Sequence, residues 1–265
     1  MNILKNLKKS YYVFWSVKNS LNVINSFSKW HNNEYIQVDI KFKNGVKFEK
    51  VPVGAAWAII NYYYWSHKFN SYSEGDLSIF YNVCMDIYSK LREACTEWPS
   101  NSWGLQGTHG IIFMMARKYM PDVYVETGIS RGFSSYIILS ALKLNGKGRL
   151  ISIDISDDVE LCKKKYKIGF VVPDDLRENW KIIKGSTSDV LPELKENIDI
   201  FMHDSLHTQD NMTFEYRWAY DKLNKGGILI SDDIDLNSAW KMFIGSHNDM
   251  KEIIKSVTTG VSIKK

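Results

Sequence analysis

From Asp122 to the C-terminus, short apolar runs alternate with stretches of helical spacing. Val123-Tyr-Val-Glu, Leu150-Ile-Ser-Ile-Asp, Lys181-Ile-Ile-Lys, Ile198–Met202 and Gly227–Ser231 predict strands. Phe133–Leu144, closed by Asn145-Gly146, and Thr208–Leu223 predict helices. Strands that alternate with helices predict βαβ units and a mostly parallel sheet covered on both faces. Glu252–Val257 and Val261–Lys264, around Thr258-Thr-Gly, predict an antiparallel pair at one sheet edge.

The chain before this region follows a different pattern. Tyr35-Ile-Gln-Val-Asp-Ile-Lys-Phe-Lys and Val46-Lys-Phe-Glu-Lys-Val alternate around Asn44-Gly45, a β-hairpin pattern. Helical stretches follow near 54–66 and 75–95, then a turn-rich segment from Pro99. Thr108 is the expected N-cap of a helix that stops at Pro121. The first 33 residues carry Lys5, Lys8, Lys9, Lys18 and Lys29 and no carboxylate, with Leu4, Leu7, Tyr11, Phe14, Trp15 and Leu21 at roughly helical spacing. Two readings of residues 1–30 stand. One is a helix packed on the body of the protein or on a sister subunit of a homo-oligomer; the other is a basic amphipathic helix on an anionic membrane surface. The expected division is a helical and β-hairpin cap over 1–105 and a catalytic domain over 106–265.

Composition narrows the classes. With 45% hydrophobic and 24% charged residues, the 265-residue chain is neither disordered nor fibrous. A formal charge of +4 is too mild for a dedicated nucleic-acid binder, so no nucleic-acid partner is expected. Three cysteines, Cys84, Cys95 and Cys162, cannot all pair with one another, which favours a reducing compartment and a cytoplasmic location. No apolar run reaches the roughly 18–20 residues that span a bilayer.

Ligands of an open α/β sheet bind beyond the carboxyl ends of its strands, so the strand-end residues are the ones that carry chemistry. The first strand runs into Glu126-Thr-Gly128-Ile-Ser-Arg-Gly132-Phe-Ser134, two glycines suited to a tight turn beneath a ligand. The second ends at Asp154, placed either to accept hydrogen bonds from a ribose or to cap the next helix. Small polar residues after the third, including Thr187 and Ser188, line an adenine pocket or only a capped turn. The last two strands end in His203-Asp204-Ser-Leu-His207 and Asp232-Asp233. Three carboxylates at one rim repel one another unless protonated, hydrogen-bonded or bound to a cation, and a hard Mg²⁺-like ion suits oxygen ligands. His207 stands three residues beyond Asp204, where it can take a proton from a bound hydroxyl.

As a set, these motifs make residues 108–265 resemble a class I S-adenosylmethionine (SAM)-dependent methyltransferase. Within that superfamily they are similar to the metal-dependent O-methyltransferases. Glu126, Gly128, Gly132 and Ser134 match the first motif, E-x-G-x-x-x-G-x-S, and Asp154 matches the acid that holds the ribose. Gly185–Leu194 resembles the adenine-side segment of catechol O-methyltransferase, which implies that Thr187 and Ser188 lie near the base. Asp204 and His207 match D-x-x-[basic], and Asp232-Asp233 match D-[ND], which implies metal binding by Asp204, Asp232 and Asp233 with His207 as catalytic base. A histidine in place of lysine resembles sugar O-methyltransferases of natural-product and glycan pathways.

The resemblance implies a Rossmann-like, mostly parallel seven-stranded sheet with an antiparallel edge strand. It also implies SAM and Mg²⁺ as cofactors and a hydroxyl on a small molecule or glycan as acceptor. A sugar hydroxyl is the favoured acceptor, with Trp57, Tyr62, Tyr63, Tyr64, Trp65, Trp98 and Trp103 as candidates to stack on sugar faces or to fill a helical cap. A phenolic acceptor and a non-catalytic binding subunit are the alternatives. A nicotinamide-dependent dehydrogenase is disfavoured by the missing third glycine.

Overall fold

The runs of the central strands are largely apolar because those strands are covered on both faces. In the computed structural model, residues 35–38, 48–97 and 104–265 are described, with backbone alone for 35–38, 48–50 and 53. The predicted N-terminal amphipathic helix, the Asn44-Gly45 turn, Trp98 and Trp103 lie outside the described residues. The chain divides into two compact units, Met1–Met114 and Met115–Lys265.

In the first unit, β1 (Tyr35–Val38) and β2 (Phe48–Pro52) pair antiparallel, Tyr35 opposite Pro52, as the hairpin pattern predicts. Helix α1 (Val53–Lys68) follows, then α2 (Glu74–Ala94), whose N-cap Ser73 accepts from the Asp76 N–H at 3.2 Å. Helix α3 (Gly107–Tyr119) begins one residue before Thr108, which lies inside the first turn rather than capping it. The side chain that closes this end is His109, whose Nδ1 accepts from the Gln106 N–H at 2.9 Å. Gly110 lets α3 approach α1 closely: a Cβ there stands 2.1 Å from the Ala58 oxygen. Tyr62 is fully buried, edge-on to Phe113 at 5.5 Å, and so belongs to the core of this unit. Cys84 is buried and free.

The second unit carries the sheet. Its strands are β3 (Val123–Thr127), β4 (Arg149–Asp154), β7 (Trp180–Lys184), β8 (Ile198–His203), β9 (Leu223–Ser231), β10 (Met250–Lys255) and β11 (Gly260–Lys264). The order is β10-β11-β9-β8-β3-β4-β7, with β7, β4, β3, β8 and β9 parallel and the β10–β11 pair antiparallel at one edge. Helix α4 (Phe133–Asn145) is buried from Phe133 to Leu142 and ends on Gly146 at φ +66°, the left-handed position that glycine tolerates. A short helix, α5 (Thr187–Val190), follows β7. Helices α6 (Gln209–Lys222) and α7 (Ala239–Ser246) place Met212, Tyr216, Ala219, Trp240 and Phe243 in one core with Val125, Ile153, Phe201 and Leu229. Two elements depart from the pattern. After β4 the chain forms a hairpin, β5 (Asp158–Leu161) and β6 (Lys164–Lys167), where a capped helix was an alternative, and α7 follows β9.

The bottom of the sheet is pinned by Asp199. Its Oδ2 accepts from the Asp122 and Val123 N–H groups at 2.8 and 3.0 Å, and its Oδ1 from Asn224 at 2.8 Å, which aligns β3, β8 and β9. Among the described residues no helix is long and apolar enough to cross a membrane.

Candidate active site

Beyond Thr127 the chain turns through Gly128, Ser130 and Gly132 at φ +86°, +48° and +91°. Gly128 is needed for close approach: a Cβ there would lie 1.9 Å from the backbone oxygen of Asp204. The loop rests on a second segment. Gly169 N–H donates to Ser130 O at 2.9 Å and Val171 N–H to Arg131 O at 3.3 Å. The Arg177 guanidinium in turn donates to Gly169 O and Val172 O at 2.8 and 3.0 Å while lying 5.1 Å over the Trp180 ring.

Asp154, partly exposed at the end of β4, turns one oxygen to this loop. Its Oδ2 accepts from the Ile129 and Ser130 N–H groups at 2.8 and 3.1 Å, and its Oδ1 from Ser156 N–H at 2.9 Å. Glu126 lies beneath, fully buried, its Oε1 accepting from Ser135 and, at 2.6 Å, from Ser152; Ser134 is also buried. Burial raises the Glu126 pKa to about 7, against the lowering effect of its serine donors. With none of its surface exposed, Glu126 ties α4 to β4 through Ser135 and Ser152. Ser186 caps α5, accepting from Asp189 N–H at 3.2 Å, with Thr187 donating to Asn211 at 3.1 Å and Ser188 exposed beside Ser186.

At the next two strand ends, adjacent parallel β8 and β9 bring the acids to one rim. Asp232 N–H donates to His203 O at 3.0 Å. The Asp204 carboxyl is pushed well above its usual range, first by burial and then by the charges of Asp232 and Asp233. His207 Nε2 lies 3.8 Å from Asp204 Oδ1 and 3.8 Å from Asp233 Oδ2, too far for a hydrogen bond to either. That nitrogen is buried with no hydrogen-bond partner. Burial and neighbouring His203 lower the His207 pKa, opposed by Asp233 and Glu215. Among the described residues no three His, Cys, Asp or Glu side chains converge as a group able to hold a metal ion.

The sequence reading left out Glu215 and gave His203 no role. Both are fully buried, with His203 Nδ1 2.6 Å from Glu215 Oε2. Thr127 Oγ1 donates to Oε2 at 2.7 Å; Ser205 Oγ and Asn211 Nδ2 donate to Oε1 at 2.7 and 2.9 Å. Burial works to raise the Glu215 pKa, but its contacts with His203, Ser205 and Thr127 hold it below the usual value. A signal was present: Met212, Glu215, Tyr216 and Ala219 share one helical stripe, so an acid stands on the buried face of α6.

Residues 125–234 match the sequence family described as a methyltransferase domain. Over that stretch the chain is similar to a methyltransferase domain. Its sheet is the Rossmann-like fold of class I SAM-dependent methyltransferases, and solved structures share it. The O-methyltransferase TomG of Streptomyces achromogenes, involved in tomaymycin synthesis and solved with SAM, is 16% identical with a TM-score of 0.53, over 81% of this chain and 100% of that one. The methyltransferase PaMTH1 of Podospora anserina, bound to S-adenosylhomocysteine (SAH), is 14% identical with a TM-score of 0.51, over 69% and 88%. The Bacillus cereus O-methyltransferase, in complex with SAH, is 12% identical with a TM-score of 0.50, over 69% and 91%. These likenesses establish the fold. No curated protein matches the sequence.

Proposed function

We propose that the chain is a SAM-dependent O-methyltransferase in which His207 takes the proton from an acceptor hydroxyl. The observation that carries this reading is the His207 Nε2 atom, buried and without a hydrogen-bond partner between Asp204 and Asp233. An imidazole held ready to accept, beside acids at the ligand-binding end of the sheet, is the arrangement a general base requires.

The glycine loop and Asp154 are the proposed seat of SAM. The α4 N-terminus has no side-chain cap, which leaves N–H groups for an anionic ligand group, and Asp154 stands at the rim for the ribose. A Mg²⁺ ion suits the rim by chemistry: three carboxylates supply hard oxygens, and the charges of Asp232 and Asp233 add to burial in raising Asp204. Asp204, Asp232 and Asp233 would be its ligands. When bound, SAM supplies an electrophilic methyl on a sulfonium, and Mg²⁺ supplies positive charge for the developing alkoxide. The chain's own part is to orient the hydroxyl and to receive its proton at His207 Nε2.

The acceptor we favour is a sugar hydroxyl in a glycan or glycosylated metabolite, a reading that rests on histidine at the base position. A phenolic acceptor has its own support: Leu206 and Leu236, on the loops that carry His207 and Asp233, are 62% and 61% exposed. Apolar side chains at that rim suit an aromatic body.

Labelled SAM with a panel of methyl glycosides and catechols tests both. Transfer to one class, lost in EDTA and restored by Mg²⁺, is the expected result. His207→Ala lowers turnover by about 10²–10⁴-fold with SAH affinity unchanged. Full activity after dialysis against EDTA defeats the metal assignment, and an undiminished His207→Ala enzyme defeats the base.

A further inference from the structure

A buried carboxylate is costly to desolvate and is kept only where donors surround it. Glu215 has four, and they come from the segments that build the site. Thr127 immediately precedes Gly128 at the end of β3. His203 immediately precedes Asp204, and Ser205 immediately follows it. Asn211 also donates to Ser205 Oγ at 3.2 Å and to Leu206 O at 3.0 Å, and so holds the chain that runs into His207. The His203 ring then meets the His207 ring edge-on, 5.2 Å between centroids at 79°. Against an apolar replacement of similar volume, a buried polar cluster adds little net stability, so what this cluster supplies is geometry.

We propose that Glu215 is a positioning residue for methyl transfer, fixing Asp204 through Ser205 and His207 through His203. The proposal rests on the roles given above to Asp204 and His207. An ionised carboxylate only accepts, so His203 donates from Nδ1, and its ring is set in one orientation beneath His207. Glutamine in place of Glu215 offers one accepting oxygen and one donating NH₂. The NH₂ end faces either the His203 and Thr127 donors or the Ser205 and Asn211 donors, so one pair must move. On the cofactor side, the bonds by which Asp154 holds the Ile129 and Ser130 N–H groups of the glycine loop do not involve Glu215.

Histidine-¹⁵N-labelled full-length protein, with SAH added, allows the test without a known acceptor. In Glu215→Gln the ring signals of both His203 and His207 shift, while SAH affinity by calorimetry is unchanged. Glu215→Asp, which keeps the charge, returns His207 part of the way. With an acceptor identified by the panel, Glu215→Gln lowers kcat by roughly 10- to 100-fold, the scale of a misplaced reacting group, with KM for SAM unchanged. Should the glutamine variant fail to fold, Ser205→Ala removes one donor, keeps the carboxylate, and must move the His207 signals. Unmoved His207 signals overturn the proposal, and so does a loss of SAH affinity that parallels the loss of kcat, the mark of general loosening. Failure of wild-type protein to bind SAH defeats the functional reading itself and leaves the histidine signals to judge Glu215 alone.

Discussion

At the scale of single residues, Glu126 shows how burial turns a motif acid into a proton-linked brace. Its folded pKa of about 7 lies above the 4.5 of an ordinary glutamate, so the folded protein holds a proton that the unfolded chain releases. The stability tied to that proton is complete below about 4.5 and is lost as pH rises through about 7. At about 1.4 kcal/mol per unit, the loss is on the order of 3 kcal/mol. Glu126→Gln keeps an oxygen for Ser135 and Ser152 and carries no titrating proton. Urea unfolding across pH 5 to 8 should therefore show the wild type losing ground to the variant as pH rises. A constant difference between the two would sink the assignment. The sequence offered Glu126 as a ligand-side residue because motif position says nothing of depth.

At the scale of elements, the central strands of the parallel sheet were readable because both faces are buried and their runs open apolar, as in Val123–Val125. The β5–β6 hairpin was not, since Lys164, Lys165 and Lys167 are exposed and leave no apolar alternation. Helix α7 escaped because eight residues give too short a period to separate from a loop. The acids of the site were legible from strand ends alone, whereas the Glu215–His203 pair depends on which face of α6 turns inward. The segment from Gly169 to Val172 was equally hidden, for its support of the glycine loop runs through backbone bonds and the Arg177 side chain. Arg177→Ala removes two charge-assisted bonds and the Trp180 stack. It should weaken SAH binding by about 1–3 kcal/mol in calorimetry, with the sheet intact by circular dichroism. Unaltered affinity would mean that the loop holds its shape unaided.

At the scale of the whole molecule, two compact units share the chain, and the strand-end residues discussed above all fall in Met115–Lys265. A ligand that binds only the folded form stabilises it by mass action, about 2.7 kcal/mol at a hundredfold excess over its Kd. SAH should produce an increment of this size in thermal or urea unfolding, and NAD none. A matching increment from NAD would return the dehydrogenase reading that the glycine spacing disfavours.

The meeting of Gly128 with Asp204 has a consequence for engineering. A motif glycine is commonly taken as room made for the nucleotide, yet here the missing side chain is filled by the backbone of the strand end that bears the acid. The two halves of the site therefore cannot be exchanged as separate cassettes. A β8 loop grafted from another protein must bring a backbone that fits the space above residue 128. A library sorted only for retained nucleotide would keep members whose acceptor side is already displaced.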